Sequence, residues 1–245
     1  MMPELSASRK VDHDGASVSP GIGRGLYAVV DVSSLVPRGI DPLAFTQAVL
    51  TARPAALQLR AKELEARELL ALLRAAGSLC RAAGVPIVVN DRVDLAVLAG
   101  CGYVHVGQCD LPVERVRRVA PGLGVGVSTH TLEQLDAAIL LRPDYVAYGP
   151  VFPTTSKEAP EPCVGLDGLA AACARSREAG IPLVAIGGVT LDRAPELRKW
   201  ASASAVIHAL LPTSGGSWHE EVTARAVALH AALGASPDSA PVARA

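Results

Sequence analysis

The sequence predicts a single (β/α)8 barrel, an α/β fold with a closed parallel sheet, on three observations. Short apolar runs alternate with helical patterns along most of the 245 residues. The runs close at eight. Nearly every run ends in a polar cluster suited to phosphate or metal, and barrels of this class place their active sites at the carboxyl ends of the strands. A doubly wound open sheet would also alternate strand and helix, but no GxGxxG follows the first run.

Residues 1–24 are polar, with Lys10, Asp12 and Asp14, and hold no apolar block of signal-peptide length. They are expected to be a flexible tail, as is the Ala-, Pro- and Ser-rich stretch 235–245, leaving 25–234 for one catalytic barrel domain. Strands are expected at 26–31, 56–60, 86–90, 103–106, 124–128, 145–148, 183–186 and 205–208. Helices are expected at 42–51, 66–83, 93–99, 113–119, 132–141, 166–179, 193–200 and 220–233. Asp41 before Pro42 opens the first helix, and Thr131 with Gln134 three positions on opens the fifth. In the second, Leu69, Leu72, Leu73, Ala76 and Leu79 recur at helical spacing and form one apolar stripe. Gly84, Gly100, Gly102 and Gly180 close helices, the last reinforced by Pro182.

A chain of this length, 50% hydrophobic, can bury one large core. Its formal charge of -1 gives no reason to expect a nucleic-acid partner. The apolar runs are too short and interrupted for a membrane span. The five cysteines (Cys80, Cys101, Cys109, Cys163, Cys173) include no CxxC pair, which argues against a disulfide framework and a zinc site and fits the cytoplasm. Small molecules are the expected partners, and nothing indicates the oligomeric state.

The polar clusters carry the chemistry. In QLRAK, Gln58 and Arg60 share a strand face and Lys62 follows them, offering a planar fork and a movable charge to phosphate, unless Arg60 or Lys62 is spent on Glu63 or Glu65. Asn90 and Asp91 end one apolar strand, and Asp110 follows the next in HVGQCD. Two carboxylates on neighbouring loops suit an open Mg²⁺ site, although either could instead cap a helix. His105 alternates with Val104 and Val106, which favours a buried or orienting role over metal ligation. Cys109 reads as a small loop-filling residue. GPVFPTTSK, at 149–157, suits a loop that closes on phosphate, and IGGV places Gly187 and Gly188 where backbone N–H groups can approach one.

These strings together resemble the thiamine-phosphate synthase family: LYAVVD, QLRAK, VVNDRVDLA, VHVGQCDLP, GVSTHT, YGPVFPTTSK, GLDGL and AIGG, in order from about Leu26 to Leu211. The resemblance implies a transferase that joins hydroxymethylpyrimidine diphosphate to a thiazole phosphate and releases diphosphate. It implies that Gln58, Arg60, Lys62 and Asn90 contact the pyrimidine diphosphate, with Leu59 and Ala61 in the same substrate-facing segment, and that Ser128 and Lys157 also meet that substrate. Asp91 and Asp110 would ligate Mg²⁺. Thr154, Thr155, Ser156 and Gly187 would serve the thiazole phosphate, with Ile207 and His208 at the last strand end. Arg60, Lys62 and Lys157 would neutralise the leaving group, and no Ser/His/Asp triad is needed. The chain departs from the family in WASASAVIHAL, where Trp200 and His208 stand near a position usually given to small residues, and more mildly at Ser156 and Ala61. Two rivals are a thiazole tautomerase of the same fold, against which the Asp91 and Asp110 pair argues, and a noncatalytic barrel that binds thiamine precursors.

Overall fold

The computed structural model describes residues 21–154, 162–213 and 217–234. Both tails expected from the sequence fall largely outside them. Eight parallel strands close into a barrel in sequence order: β1 Gly25–Asp31, β2 Ala56–Arg60, β3 Ile87–Asn90, β4 Tyr103–Val106, β5 Gly124–Thr129, β6 Tyr145–Tyr148, β7 Leu183–Ile186 and β8 Ala203–Val206. The helices are α1 Val32–Leu35, α2 Pro42–Leu50, α3 Ala66–Ala83, α4 Val93–Leu98, α5 Val113–Val119, α6 Leu132–Leu140, α7 Gly165–Glu178, α8 Ala194–Leu197 and α9 Trp218–Ala232. Closure is direct, since Tyr27 of β1 lies opposite Ala56 on one side and Ala205 of β8 on the other.

The expected local signals act as read. Asp41 accepts from the Ala44 N–H at 2.8 Å, and the Thr131 hydroxyl accepts from the Gln134 N–H at 3.2 Å. Gln134 reaches back one residue further than a capping box, accepting from the His130 N–H at 2.8 Å. Gly84, Gly100 and Gly180 all take left-handed φ at helix ends. Leu69, Leu73 and Ala76 are buried, with Leu72 and Leu79 packed beside them.

Three expectations are corrected. The chain forms α1 and a 3-10 turn, Val36–Arg38, between β1 and α2, where only loop was expected. The helix expected at 193–200 is only four residues long; beyond it the bonds tighten to three-residue spacing, with the Trp200 N–H donating to the Leu197 carbonyl. The last strand begins two residues earlier than expected, at Ala203, and His208 opens a 3-10 turn instead of ending the strand. The strand propensity of Val206 and Ile207 favoured the later register, but the barrel interior beside Tyr27 requires small side chains, and Ala203 and Ala205 supply them.

Alternation along the strands divides the core. One set of side chains, including Leu26, Leu57, Val104 and Val146, faces the helices. The other fills the barrel, where Tyr27, Tyr103 and Tyr145 are the large members. Gly124 and Gly126 in β5 make that filling possible, because a methyl group at either would overlap the ring of Tyr103 or Tyr145.

Candidate active site

The barrel directs every strand's carboxyl end to one rim. At the β1 and β2 ends, Asp31 and Arg60 lie opposite each other in register, and an Arg60 guanidinium nitrogen donates to Asp31 Oδ1 at 2.6 Å. The hydroxyls of Ser33 and Ser34, brought round by α1, donate to Asp31 Oδ2 at 2.9 and 2.6 Å. Burial alone would raise the Asp31 carboxyl, but the Ser34, Arg60 and Ser33 hydrogen bonds outweigh it and hold the group below its ordinary value. Arg60 is therefore held by a fixed anion, with most of its fork still available. The pairing with Glu63 or Glu65 left open by the sequence is replaced by this one.

Asp91 stands at the end of β3 with φ 61, a backbone region uncommon for any residue but glycine. Aspartate tolerates it better than most, and the strain aims a carboxylate at the rim. Burial raises the Asp91 carboxyl first, the charge of Asp110 raises it further, and Lys62, 3.4 Å away, offsets part of both. Asp110 accepts from the Gly107 N–H at 2.7 Å, which fixes its loop. Two carboxylates so close that one is pushed up by the other form a site that gains from a cation. Among the described residues no cluster of three His, Cys, Asp or Glu could hold a metal, so the protein would supply two oxygen ligands and leave other positions to water or phosphate.

Inside the rim runs a chain of polar groups. The hydroxyls of Tyr27 and Tyr145 are 2.8 Å apart, Tyr145 is 2.9 Å from His105 Nδ1, and His105 Nε2 is 2.7 Å from Ser128 Oγ. Burial pushes both tyrosine hydroxyls well above their ordinary range, so they stay neutral links. His105 is thus buried, as its alternation allowed, and hydrogen-bonded to Ser128. Gln58 is 6% exposed, and among the described residues its amide nitrogen finds no hydrogen-bond partner, an unmet donor in the barrel.

The opposite side of the rim is built from backbone. Gly187 and Gly188 follow β7 with φ 96 and 63. The strap after β6 lies directly on them: the Val151 N–H donates to the Ile186 carbonyl at 2.8 Å and the Phe152 N–H to Gly187 at 3.1 Å. A methyl group on Gly188 would come within 2.6 Å of the Pro153 carbonyl. His130 Nδ1 bonds the Gly149 carbonyl at 2.6 Å, tying the strap's start to β5.

The profile of the thiamine monophosphate synthase family matches residues 26–210. The chain belongs to that family. It is 40% identical over 232 residues to the thiamine-phosphate synthase of Anaeromyxobacter dehalogenans, covering 91% of this chain and 98% of the relative. It is 35% identical to that of Chloroflexus aurantiacus, covering 88% and 95%. Among solved structures it is similar to the thiamine phosphate pyrophosphorylase of Pyrococcus furiosus, with a TM-score of 0.72, 29% identity and coverage of 86% of this chain and 97% of that one.

For a thiamine monophosphate synthase, the sequence-derived residues fall in three groups. Gln58, Arg60, Lys62, Asn90, Asp91, Asp110 and Ser128 gather on the β2 to β5 side of the rim. Thr154, half-buried, and Gly187 lie on the β6 and β7 side, while Thr155, Ser156 and Lys157 lie outside the described residues. Leu59 points outward into the helix-facing core, so its side chain does not enter the rim, and Ala61 is packed in the same layer. Ile207 packs on the barrel interior, and His208 is exposed on the turn beyond it. Trp200 precedes β8 and sits at the amino end of that strand, remote from the rim. Asp31 was missed as a functional group. Its signal was present in LYAVVD, one strand position opposite an arginine, but a strand-end aspartate also reads as a helix cap.

Proposed function

We propose that the rim performs the thiamine-phosphate synthase reaction, joining a hydroxymethylpyrimidine diphosphate to a thiazole phosphate. The observation that carries this reading is the pairing, on one rim, of the Asp91 and Asp110 carboxylates beside Arg60 and Lys62 with a separate double-glycine turn at the β7 end. One side suits a diphosphate with its counter-ion, and the other a monophosphate.

Arg60, held by Asp31, and Lys62 bind the diphosphate oxygens, and Lys157 of the GPVFPTTSK string supplies a further cation for them. Gln58 gives its unpaired amide N–H to the pyrimidine, and Ser128, set by His105, gives its hydroxyl; Asn90 borders the same substrate. Mg²⁺, bound by Asp91 and Asp110, would add positive charge beside the departing diphosphate. The bond between the pyrimidine methylene carbon and the diphosphate oxygen breaks, and its electron pair leaves with the diphosphate. The thiazole nitrogen lone pair then forms the new carbon–nitrogen bond, so no protein base is needed. Thr154, Thr155, Ser156, the Gly187 turn, Ile207 and His208 bind the thiazole phosphate, and the closed rim excludes water from the cationic carbon.

An assay with both substrates and Mg²⁺ tests this. Thiamine phosphate and diphosphate should appear in equal amounts, and Mg²⁺ removal should abolish turnover. Thiazole conversion without the pyrimidine substrate would replace the reading by a tautomerase, and binding without turnover would replace it by a sensor or carrier. No helix among the described residues is long and apolar enough to cross a membrane. The free cysteines support a reducing setting such as the cytoplasm.

A further inference from the structure

We infer that Arg193 is a positioning residue that latches the strap after β6 onto the double-glycine turn after β7, and so sets how tightly the thiazole phosphate is held. The inference rests on the reading of that turn as the phosphate cradle.

Arg193 stands just before α8, and its guanidinium makes two contacts, one with the turn and one with the strap. A guanidinium nitrogen donates to the Gly188 carbonyl at 2.8 Å, and its central carbon lies 4.6 Å from the centre of the Phe152 ring. Phe152 in turn donates its N–H to the Gly187 carbonyl at 3.1 Å. Both carbonyls of the turn are therefore tied down by the same arginine–phenylalanine pair. In a trans peptide the N–H points opposite to the C=O, so anchoring these two carbonyls turns the Gly188 N–H away from the strap and the Val189 N–H away from the Arg193 guanidinium. Donors held in advance towards an anion bind it without the entropy cost of ordering a loop. The glycine geometry allows this close approach and does not by itself enforce it: φ values of 96 and 63 belong to a residue with many alternatives. Arginine suits the task because one planar group can stack on a ring and donate at its edge, which a lysine ammonium cannot do together.

The test uses Arg193→Met, Arg193→Lys, Phe152→Leu and the Met/Leu double variant of the full chain. Hydrogen exchange without substrates should show the Val151 and Phe152 amides exchanging faster in Arg193→Met, whatever the reaction proves to be. In turnover, KM for the thiazole phosphate should rise roughly tenfold, the scale of one lost charge-assisted hydrogen bond, with kcat and KM for the pyrimidine diphosphate within about twofold of wild type. Arg193→Lys should rescue little, and the double variant should be no worse than the worse single one, since both break the same latch. Unchanged amide exchange with lost thiazole affinity would make Arg193 a direct phosphate ligand and overturn the latch. Equal rises in KM for both substrates, or additive single effects, would also overturn it. If the wild-type chain makes no thiamine phosphate, the functional reading fails alone, and the exchange result still decides whether the latch exists.

Discussion

The two sides of the rim are built by different means. From β2 to β5 the polar groups at the rim are side chains: Arg60 on its Asp31 anchor, Lys62 beside Asp91, Asp110 on its loop amide, and Ser128 on His105. From β6 to β7 the rim is backbone, with the Arg193 and His130 side chains and the Phe152 N–H holding its carbonyls in place. A charged leaving group needs strong countercharge that changes its interaction as the reaction proceeds, whereas a monophosphate that merely has to be held is served by fixed N–H dipoles. Side-chain substitutions should therefore separate the two substrates cleanly.

The largest effect is expected from Asp91→Asn or Asp110→Asn, with turnover falling roughly 10²–10³-fold, the scale seen when one stabiliser of transition-state charge is removed. Stability should not fall with it in Asp91→Asn, because burial and the Asp110 charge already oppose ionisation of that carboxyl. Thermal unfolding of the same variant checks the second half. Near-wild-type turnover in both variants would take the metal away from this side of the rim.

Next is Gly188→Ala, where φ 63 and a contact of 2.6 Å with the Pro153 carbonyl leave no room for a methyl group. KM for the thiazole phosphate should rise by more than about tenfold, since displacing the turn costs on the order of 1–3 kcal/mol. An equal rise for the pyrimidine diphosphate would erase the division between the two sides.

Asp31→Asn mirrors that experiment. Arg60 keeps its charge but loses its anionic anchor, and KM for the pyrimidine diphosphate should rise by roughly tenfold with the thiazole side unmoved. Steady-state kinetics with each substrate varied in turn would show it, and unchanged constants would mean that Arg60 is held by packing alone.

The smallest effect belongs to the scaffold shared by both sides. His230 of α9 accepts the Leu26 N–H through Nδ1 at 3.2 Å, and burial lowers its pKa below the ordinary 6.5. Above 6.5 the group is neutral in folded and unfolded chains alike. As pH falls below 6.5, the unfolded chain takes up a proton that the folded one resists, so stability declines until the folded pKa is reached, by at most about 1.4 kcal/mol per pH unit. Melting temperatures across that window should lose this component in His230→Gln.

Much of the side-chain half was legible in the sequence, because a strand that ends in an arginine, a lysine or a pair of aspartates announces its chemistry by residue type. The backbone half showed only as glycines and a loop string, since an N–H donor looks the same in every residue. The strands were legible for a related reason: seven of the eight fell within a residue or so of expectation, as apolar runs bounded by glycine and charge leave little freedom. The eighth did not, because Ala203 and Ala205 have no strand propensity to read and are strands only where the rings of the barrel interior need small neighbours.

By itself, then, the sequence determined the barrel, the order of its strands and the residues that carry charge at their ends, all of which follow from local periodicity and composition. Only the tertiary structure decided which of those charges meet. That Asp31 anchors Arg60, that Asp91 and Asp110 oppose each other, that His105 sets Ser128 and that Arg193 reaches Phe152 depend on barrel closure and register. These contacts join residues distant along the chain, and no local pattern encodes a distance between two strand ends.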